Sequence, residues 1–537
     1  MRGEVFAMPF FWRIAVFIVV FISWVCPVQA DLKIFVTNDV HGQVAEDRTK
    51  GRIGYARLKA LADAEAEAGH TVFLMDSGDA FSGSAYAQAD HGRTIAELMG
   101  LMGYRVLTPG NHAFDYNEVE NNPLYYSNVL LKTVRAHNKG SLDAVAENLS
   151  YNGRELPGVS RVPVVVYDET ASKPDGVRLI VTGLITPDVA RPGSHSGYDF
   201  GLLDSPAATR EKILANLGES VMAYSRPQDV VIVLAHLGWP GSEGDRDGRL
   251  SGPDAATVPN VSFVADGHTH QAIAPRRIGE AVYGNGGRYL ESFLAITIGN
   301  DGQGQMELRT YDDLASLDPD QLIAEKMAQI DRDQGFSEII LELPDAELFS
   351  DRGLRTDNSN IALGRLICSA MIRASGADMA FHNTGGIRAG LPAGPVSVRD
   401  IYDVLPFGDE LVVVNMSGRE ILKRFGQASD SGSSRGWPQF FGLRVYAWRG
   451  EDGNLAATGL RKADGTSLDM NRHYRVAMNG FMARYLNHTK EKHGKMIEAL
   501  HQELKLRVNF EELRPNHSLF IFPTQKEAQG AWEKGSL

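Results

Sequence analysis

Residues 34–42 read Ile34-Phe35-Val36-Thr37-Asn38-Asp39-Val40-His41-Gly42, an apolar run that ends abruptly in an Asp-x-His pair. The run lacks polar alternation, which predicts a strand covered on both faces, as in a layered α/β domain. The pattern recurs along the first half of the chain. Thr71-Val72-Phe73-Leu74-Met75 leads into Asp76-Ser77-Gly78-Asp79, and Val106-Leu107 into Gly110-Asn111-His112-Ala113-Phe114-Asp115. Val230-Val231-Ile232-Val233-Leu234 leads into Ala235-His236, and Phe263-Val264 into Asp266-Gly267-His268-Thr269-His270. Leu179-Ile180-Val181 and Ile296-Thr297-Ile298 are further runs of this kind. Ligands bind beyond the carboxyl ends of parallel strands, so the five polar loops are expected to converge there.

The residue types decide what such a convergence could hold. Asp39, His41, Asp79 and His270 offer two carboxylates and two imidazoles; Asn111, His236 and His268 add an amide oxygen and two more imidazoles. Shared between two divalent ions, this set suits Zn, Mn, Co or Fe better than Ca or Mg, and the lack of cysteine argues against a closed structural zinc site. Any one pair alone reads more naturally as turn chemistry. Five such elements, each at a strand end, point to a dinuclear centre.

The whole chain of 537 residues allows two to four compact units, and 43% hydrophobic with 23% charged residues is an ordinary balance for a chain that buries cores. Lys plus Arg is 54 against Asp plus Glu 67, a formal charge of −13. That leaves no basic footprint for duplex nucleic acid, and an anionic substrate must be captured locally by metals or arginines. Residues 1–30 carry Arg2 and Arg13, the apolar run Ile14 to Val25, and Val28-Gln29-Ala30, the pattern of a secretory signal peptide. The expectation is a periplasmic or secreted protein with no stable membrane insertion after cleavage. Past that segment one cysteine remains, Cys368, which excludes an internal disulfide. Residues 31–317 read as the catalytic domain, 318–344 as a linker helix opened by Asp318-Pro319-Asp320, 345–525 as a second α/β substrate domain, and 526–537 as a tail. No sequence signal bears on oligomeric state.

Asp39-x-His41, Gly78-Asp79, Gly110-Asn111-His112-x-Phe114-Asp115, Ala235-His236-Leu237-Gly238 and Gly267-His268-x-His270 resemble, in order and spacing, the blocks of calcineurin-like metallophosphoesterases. Asn383-Thr384-Gly385-Gly386-Ile387-Arg388 and Leu405-Pro406-Phe407-Gly408 through Gly418 resemble the C-terminal substrate domain of the secreted 5′-nucleotidase family. The resemblance implies an N-terminal metallophosphoesterase α/β sandwich, a linker helix and a 5′-nucleotidase-type α/β substrate domain. It implies one ion on Asp39, His41 and His270, a second on Asn111, His236 and His268, and Asp79 bridging them. His270 stands where some members place Gln. His112 is implied as the catalytic non-ligand histidine, with Asp115 as its partner; positions i and i+3 of a helical turn face each other. Asn383, Arg388, Phe407, Phe481 and Arg355 (or Arg352) are implied as substrate contacts, the two Phe rings clamping a base.

The function implied is hydrolysis of nucleotide phosphate esters by a metal-activated water. The alternatives are a 2′,3′-cyclic nucleotide phosphodiesterase, a UDP-sugar hydrolase, a thiohydrolase-like relative, or a non-catalytic binding protein. The last is disfavoured by retention of all nine polar groups. The chain departs from the family after Phe481, where Arg484-Tyr485-Leu486-Asn487 stands in place of the usual Gly-Gly-Asp run, and Arg484 there could face a second phosphate.

Overall fold

The computed structural model describes residues 31–173, 176–187, 197–240, 249–343, 349, 360–426, 438–449, 455–484, 486–507, 510, 513 and 518–535. The signal segment expected over 1–30, and Arg352 and Arg355, lie outside them.

The N-terminal half is built on two six-stranded sheets. One runs Gly304–Thr310, Ser292–Ile298, Leu32–Thr37, Thr71–Asp76, Tyr104–Leu107, Asp143–Ala144; the other runs Ala272–Ile278, Ala281–Gly286, Phe263–Asp266, Val230–His236, Arg178–Ile185, Val164–Asp168. Within each, the strands that end in polar loops are parallel, Val36 standing opposite Met75 and Leu234 opposite Ala265.

The layering explains the unbroken apolar runs. Successive side chains of a strand point to opposite faces. Ile34, Val36, Met75, Val106, Val181, Ile232, Leu234 and Ile296 therefore fill one cluster between the two sheets. Phe35 and Leu74 turn the other way, onto Leu58 of the helix Tyr55–Glu67 and Ile95 and Leu98 of the helix Arg93–Met102. In the second sheet Ile180, Val231 and Val233 meet Ile213, Leu217 and Val221 of the helix Pro206–Tyr224. Both faces of each central strand are thus dry, and fully burying each such side chain contributes about 1.5–3 kcal/mol.

The C-terminal half follows the same logic. Its five-stranded sheet runs Gln439–Phe441, Met379–His382, His473–Asn479, Glu410–Ser417, Glu491–Lys495. Leu411 and Val413 face a cluster with Leu363, Leu366 and Ile367 of the helix Ala362–Ser375. Val412, Val414 and Met416 face the opposite cluster with Ile421, Phe425 and Phe440. The stretch 526–537 was read from the sequence as a tail, and most of it belongs to the helix Gln525–Lys534, whose Trp532 donates its Nε1–H to Leu460 O at 3.2 Å.

The helix Gln321–Gln334 starts at Asp320, whose side chain caps Ile323 N, and stops at Gly335 in the left-handed region. It is docked: Ile323, Met327 and Ile330 are buried in the N-terminal helical cluster, and Lys326 pairs with Glu97 at 2.6 Å. Immediately after it Ile339–Leu343 pairs with Gly394–Ser397 of the C-terminal half. Further contacts join the halves. Asp331 accepts from Tyr86 Oη at 2.6 Å and from Arg399 at 2.5 Å, Arg399 lies 5.3 Å over the Tyr86 ring, and Gln43 donates to Asp403 at 3.1 Å. Among the described residues no helix is long and apolar enough to cross a membrane.

One buried acid sets a pH dependence of stability. Burial raises Glu147 from 4.5 to about 7, only partly offset by the hydrogen bond from Thr182. The folded-state value lies above the unfolded one, so the stabilisation is complete below about pH 4.5 and is lost as pH rises through about 7. Glu147→Gln should match wild type in urea unfolding near pH 4 and gain up to about 3 kcal/mol near pH 8. An equal shift at both pH values would contradict this.

Candidate metal centre

The five loops do converge. Asp39 and His41 follow Leu32–Thr37, with Asp39 N bonded to Gly78 O at 2.9 Å and His41 N to Asp79 O at 2.8 Å. The loop after the first strand is thus stitched to the loop after the second. Two glycines make room for this. A Cβ on Gly78 would lie 2.7 Å from His236 Nδ1, and one on Gly110 would lie 2.1 Å from Asp79 Oδ1. Asp79 Oδ1 instead accepts His112 N at 2.8 Å.

Backbone strain is concentrated here. Asp39, His41, Asp79, His268, His270, Tyr289 and Leu290 all have positive φ, seven of the twelve such non-glycine residues among those described. Each costs of order 1 kcal/mol, and strain of this kind persists only where surrounding contacts enforce it.

The side-chain geometry is one of converging acceptors. Asp39 Oδ1 lies 3.3 Å from His270 Nε2, 3.8 Å from His41 Nε2 and 4.0 Å from His236 Nε2. Asp79 Oδ2 lies 3.1 Å from His236 Nε2 and 3.8 Å from His41 Nε2. Asn111 Oδ1 faces His236 Nε2 at 3.2 Å and His268 Nδ1 at 2.9 Å, and His41 Nε2 stands 3.1 Å from His270 Nε2. Two overlapping triads, Asp39/His41/His270 and Asp39/Asp79/His236, have donor atoms mutually within 4.8 Å.

Outer contacts fix which atoms point inward. His41 Nδ1 stands 3.1 Å from Ser82 O, and His236 Nδ1 stands 2.8 Å from Ser77 O. A carbonyl can only accept, so both Nδ1 atoms carry protons and both Nε2 atoms are left to ligate, the usual tautomer device of metal sites. Asp39 Oδ2 accepts from Asn38 Nδ2 and His268 N, each at 2.8 Å. Its Oδ1 is buried without a hydrogen-bond partner. An orphaned carboxylate oxygen among imidazole lone pairs is the environment a cation fits.

The charge states are mixed. Burial and neighbouring imidazoles drop His268 to about 3, while for His236 the Asp79 and Asp39 carboxylates outweigh burial and raise it to about 10. Burial also pushes His41 well below the ordinary value. Despite burial, His236 and His270 hold Asp39 below the usual carboxylate range.

His112 sits beside the cluster, its ring 5.4 Å from that of His41. Its Nδ1 is 2.7 Å from Asp115 Oδ2, the i, i+3 pairing expected from the sequence. Burial opposes protonation, but the Asp115 and Asp79 carboxylates lift its pKa above the ordinary histidine value.

The C-terminal half reaches the same place. Phe407 stacks on His112 with centroids 5.8 Å apart and planes 22° apart, and the Arg388 guanidinium stands 5.6 Å over the Phe407 ring. Asn383 Oδ1 accepts from Asn479 Nδ2 at 2.8 Å, which also donates to Asp409 at 3.0 Å. Phe481 is half-buried on the short helix Gly480–Ala483, capped by Asn479.

Sequence reasoning overlooked several supports. Asn38 donates to Asp39, Asn285 and Gly287; its place between a strand and Asp39 was the available signal. Asp266 accepts from Leu237 N, Gly238 N and Tyr283 Oη, tying the His268 loop to the His236 loop. Tyr289 lies against His41 and His270, with nothing in its local sequence to mark it.

Comparison with known proteins agrees with this geometry. A family model described as calcineurin-like phosphoesterase matches residues 32–272, and one described as 5′-nucleotidase, C-terminal domain matches residues 340–487. Protein UshA of Yersinia enterocolitica is 25% identical over 515 residues, which are 86% of this chain and 87% of that protein. Trifunctional nucleotide phosphoesterase protein YfkN of Bacillus subtilis is 24% identical over 519 residues; the alignment takes in 88% of this chain but only 33% of that relative. A 5′-nucleotidase precursor from Thermus thermophilus shares the fold, with a TM-score of 0.64 and 21% identity over 92% of this chain and 100% of that one. The two matched models divide the chain in the order its sheets do, a calcineurin-like phosphoesterase domain followed by a 5′-nucleotidase C-terminal domain.

Proposed function

We propose that the chain hydrolyses phosphate esters of nucleotides at a two-cation centre, in the manner of a 5′-nucleotidase. The observation that carries this is the meeting of Asp39, Asp79, Asn111 and four histidines from five strand-end loops around an unpartnered carboxylate oxygen. On this reading Asp39, His41 and His270 hold one divalent ion, Asn111, His236 and His268 the other, and Asp79 is shared. Zn, Mn, Co or Fe suits the mixed nitrogen and oxygen set. Cations held there supply Lewis acidity, lowering the pKa of a water and drawing in phosphoryl oxygens.

The chain's own groups do the rest. Asp39 and Asp79 alone would repel a phosphate dianion, so binding depends on the cations and on Arg388, whose fork matches two anionic oxygens. Asp115 occupies His112 Nδ1, which leaves Nε2–H for the substrate. As the ester P–O bond breaks and the water oxygen enters, that N–H stabilises the charge building on phosphoryl or leaving oxygen and can deliver the proton. Phe407 covers His112 from the other half, so the catalytic pocket is assembled from both. The basic, apolar start of the chain supports export to the periplasm or beyond, with a small-molecule nucleotide as partner.

Three measurements test this. The loaded chain, assayed on AMP, a 2′,3′-cyclic nucleotide, UDP-glucose and an aryl phosphate, should lose all turnover on chelation and regain it with added metal. Asp79→Ala should lose both metal and turnover, whereas His112→Ala should keep metal while its rate falls by about 10² to 10⁴; a metal-replete, active Asp79→Ala protein would sink the shared-ligand assignment. Phe407→Ala should weaken kcat/KM for AMP about tenfold, the scale of one base–aromatic stack, with a smaller effect on methyl phosphate. Equal losses on both esters would remove Phe407 from base recognition.

A further inference from the structure

Tyr289 is not a ligand on any reading above, yet it is built into the centre. Its backbone and that of Leu290 are both in the left-handed region, at φ 57 and 55, a conformation that bulky side chains adopt only under constraint. The constraint is visible: Tyr289 N donates to Asp39 O at 2.8 Å. The Tyr289 ring, buried, lies 6.0 Å from His41 and 5.8 Å from His270. On that same ring rest two guanidiniums, Arg52 at 5.3 Å and Arg288 at 5.0 Å.

The two arginines differ in what satisfies them. Arg52 is buried, donates to Gln43 at 2.7 Å, and faces the carboxylate of Asp403, whose pKa burial raises and Arg52 only partly offsets. Arg288 is half-exposed and has no ion pair among the described residues. Two like charges on one aromatic ring repel, and cation–π attraction at such a site is worth only about 1 kcal/mol. In a chain of formal charge −13 an unpaired cation held one ring away from His270 points to an anion that comes and goes.

We propose that Arg288, steadied on Tyr289 and backed by Arg52, forms a second anion subsite. It would take the phosphate, or other anionic group, adjoining the one that is hydrolysed. This deepens the phosphoesterase reading and rests on it: substrates with two neighbouring phosphate units gain a contact that monophosphates lack. Tyr289 limits the rotamers of the guanidinium, so less side-chain freedom is lost on binding, and the planar fork matches two phosphate oxygens.

The test uses two probes that are not hydrolysed, methylphosphonate and methylenediphosphonate, titrated calorimetrically into the full metal-loaded chain. Arg288→Ala should weaken methylenediphosphonate about tenfold more than methylphosphonate, the loss expected for one charge-assisted contact. Arg288→Lys should recover part of it. The ratio of kcat/KM for ADP to that for AMP should fall by a similar factor in Arg288→Ala. Equal weakening of both probes, or none, overturns the subsite. Thermal melts of the variants show that the fold survives. Should wild type hydrolyse no phosphate ester, the underlying reading fails, while the two-probe comparison still decides whether Arg288 binds the second anion.

Discussion

Crowding of lone pairs at one point is the constraint on which this structure turns. Asp39 Oδ1, Asp79 Oδ2, Asn111 Oδ1 and the Nε2 atoms of His41, His236 and His270 approach one another in one largely buried cluster. Without positive charge such an arrangement is unfavourable, since buried acceptors need partners and buried carboxylates resist ionisation. Protons shared with imidazoles relieve part of it, as the raised pKa of His236 indicates. Divalent cations relieve it more completely and leave positions open for a substrate oxygen.

The fold is what enforces the crowding. Residues such as Ile34 and Val36 lock one sheet onto the other, and Phe35 locks it onto its helices, so the strand end cannot shift to relax Asp39. Strained φ values at Asp39, His41, Asp79, His268 and His270 are tolerated because hydrogen bonds such as Asp39 N to Gly78 O and His268 N to Asp39 Oδ2 hold each loop in place. The same rigidity extends across the chain's midpoint. Asp331 on the docked helix joins Tyr86 to Arg399, and Gln43, two residues from His41, contacts Asp403. The second half is thereby placed where Phe407 meets His112.

Much of this was legible in the sequence because the informative signals are local. An apolar run stopped by Asp-x-His or Gly-x-His names both a strand and what stands at its end, so the converging polar residues and the layered α/β class could be read together. The His112–Asp115 pair was legible for the same reason, being fixed by helical spacing. What could not be read depends on contacts distant in the chain. Tyr289 reaches His41 only through the tertiary fold, and Asp409 meets Asn479 across 70 positions. Phe407 was read as one side of a base clamp; that its ring also lies on His112 is a placement set by how the halves dock. The linker was read from charge and few glycines; its burial against the first half depends on Ile323, Met327 and Ile330, whose spacing says that a face is apolar but not what covers it.

The central claim is that the cluster is a cation centre and not a self-satisfied polar core. Anomalous diffraction from crystals of the chain grown with Mn²⁺ addresses it most directly. The account predicts two peaks, one enclosed by Asp39, His41 and His270, the other by Asn111, His236 and His268, with Asp79 between them. Strong manganese peaks elsewhere, with none at this cluster, would contradict it.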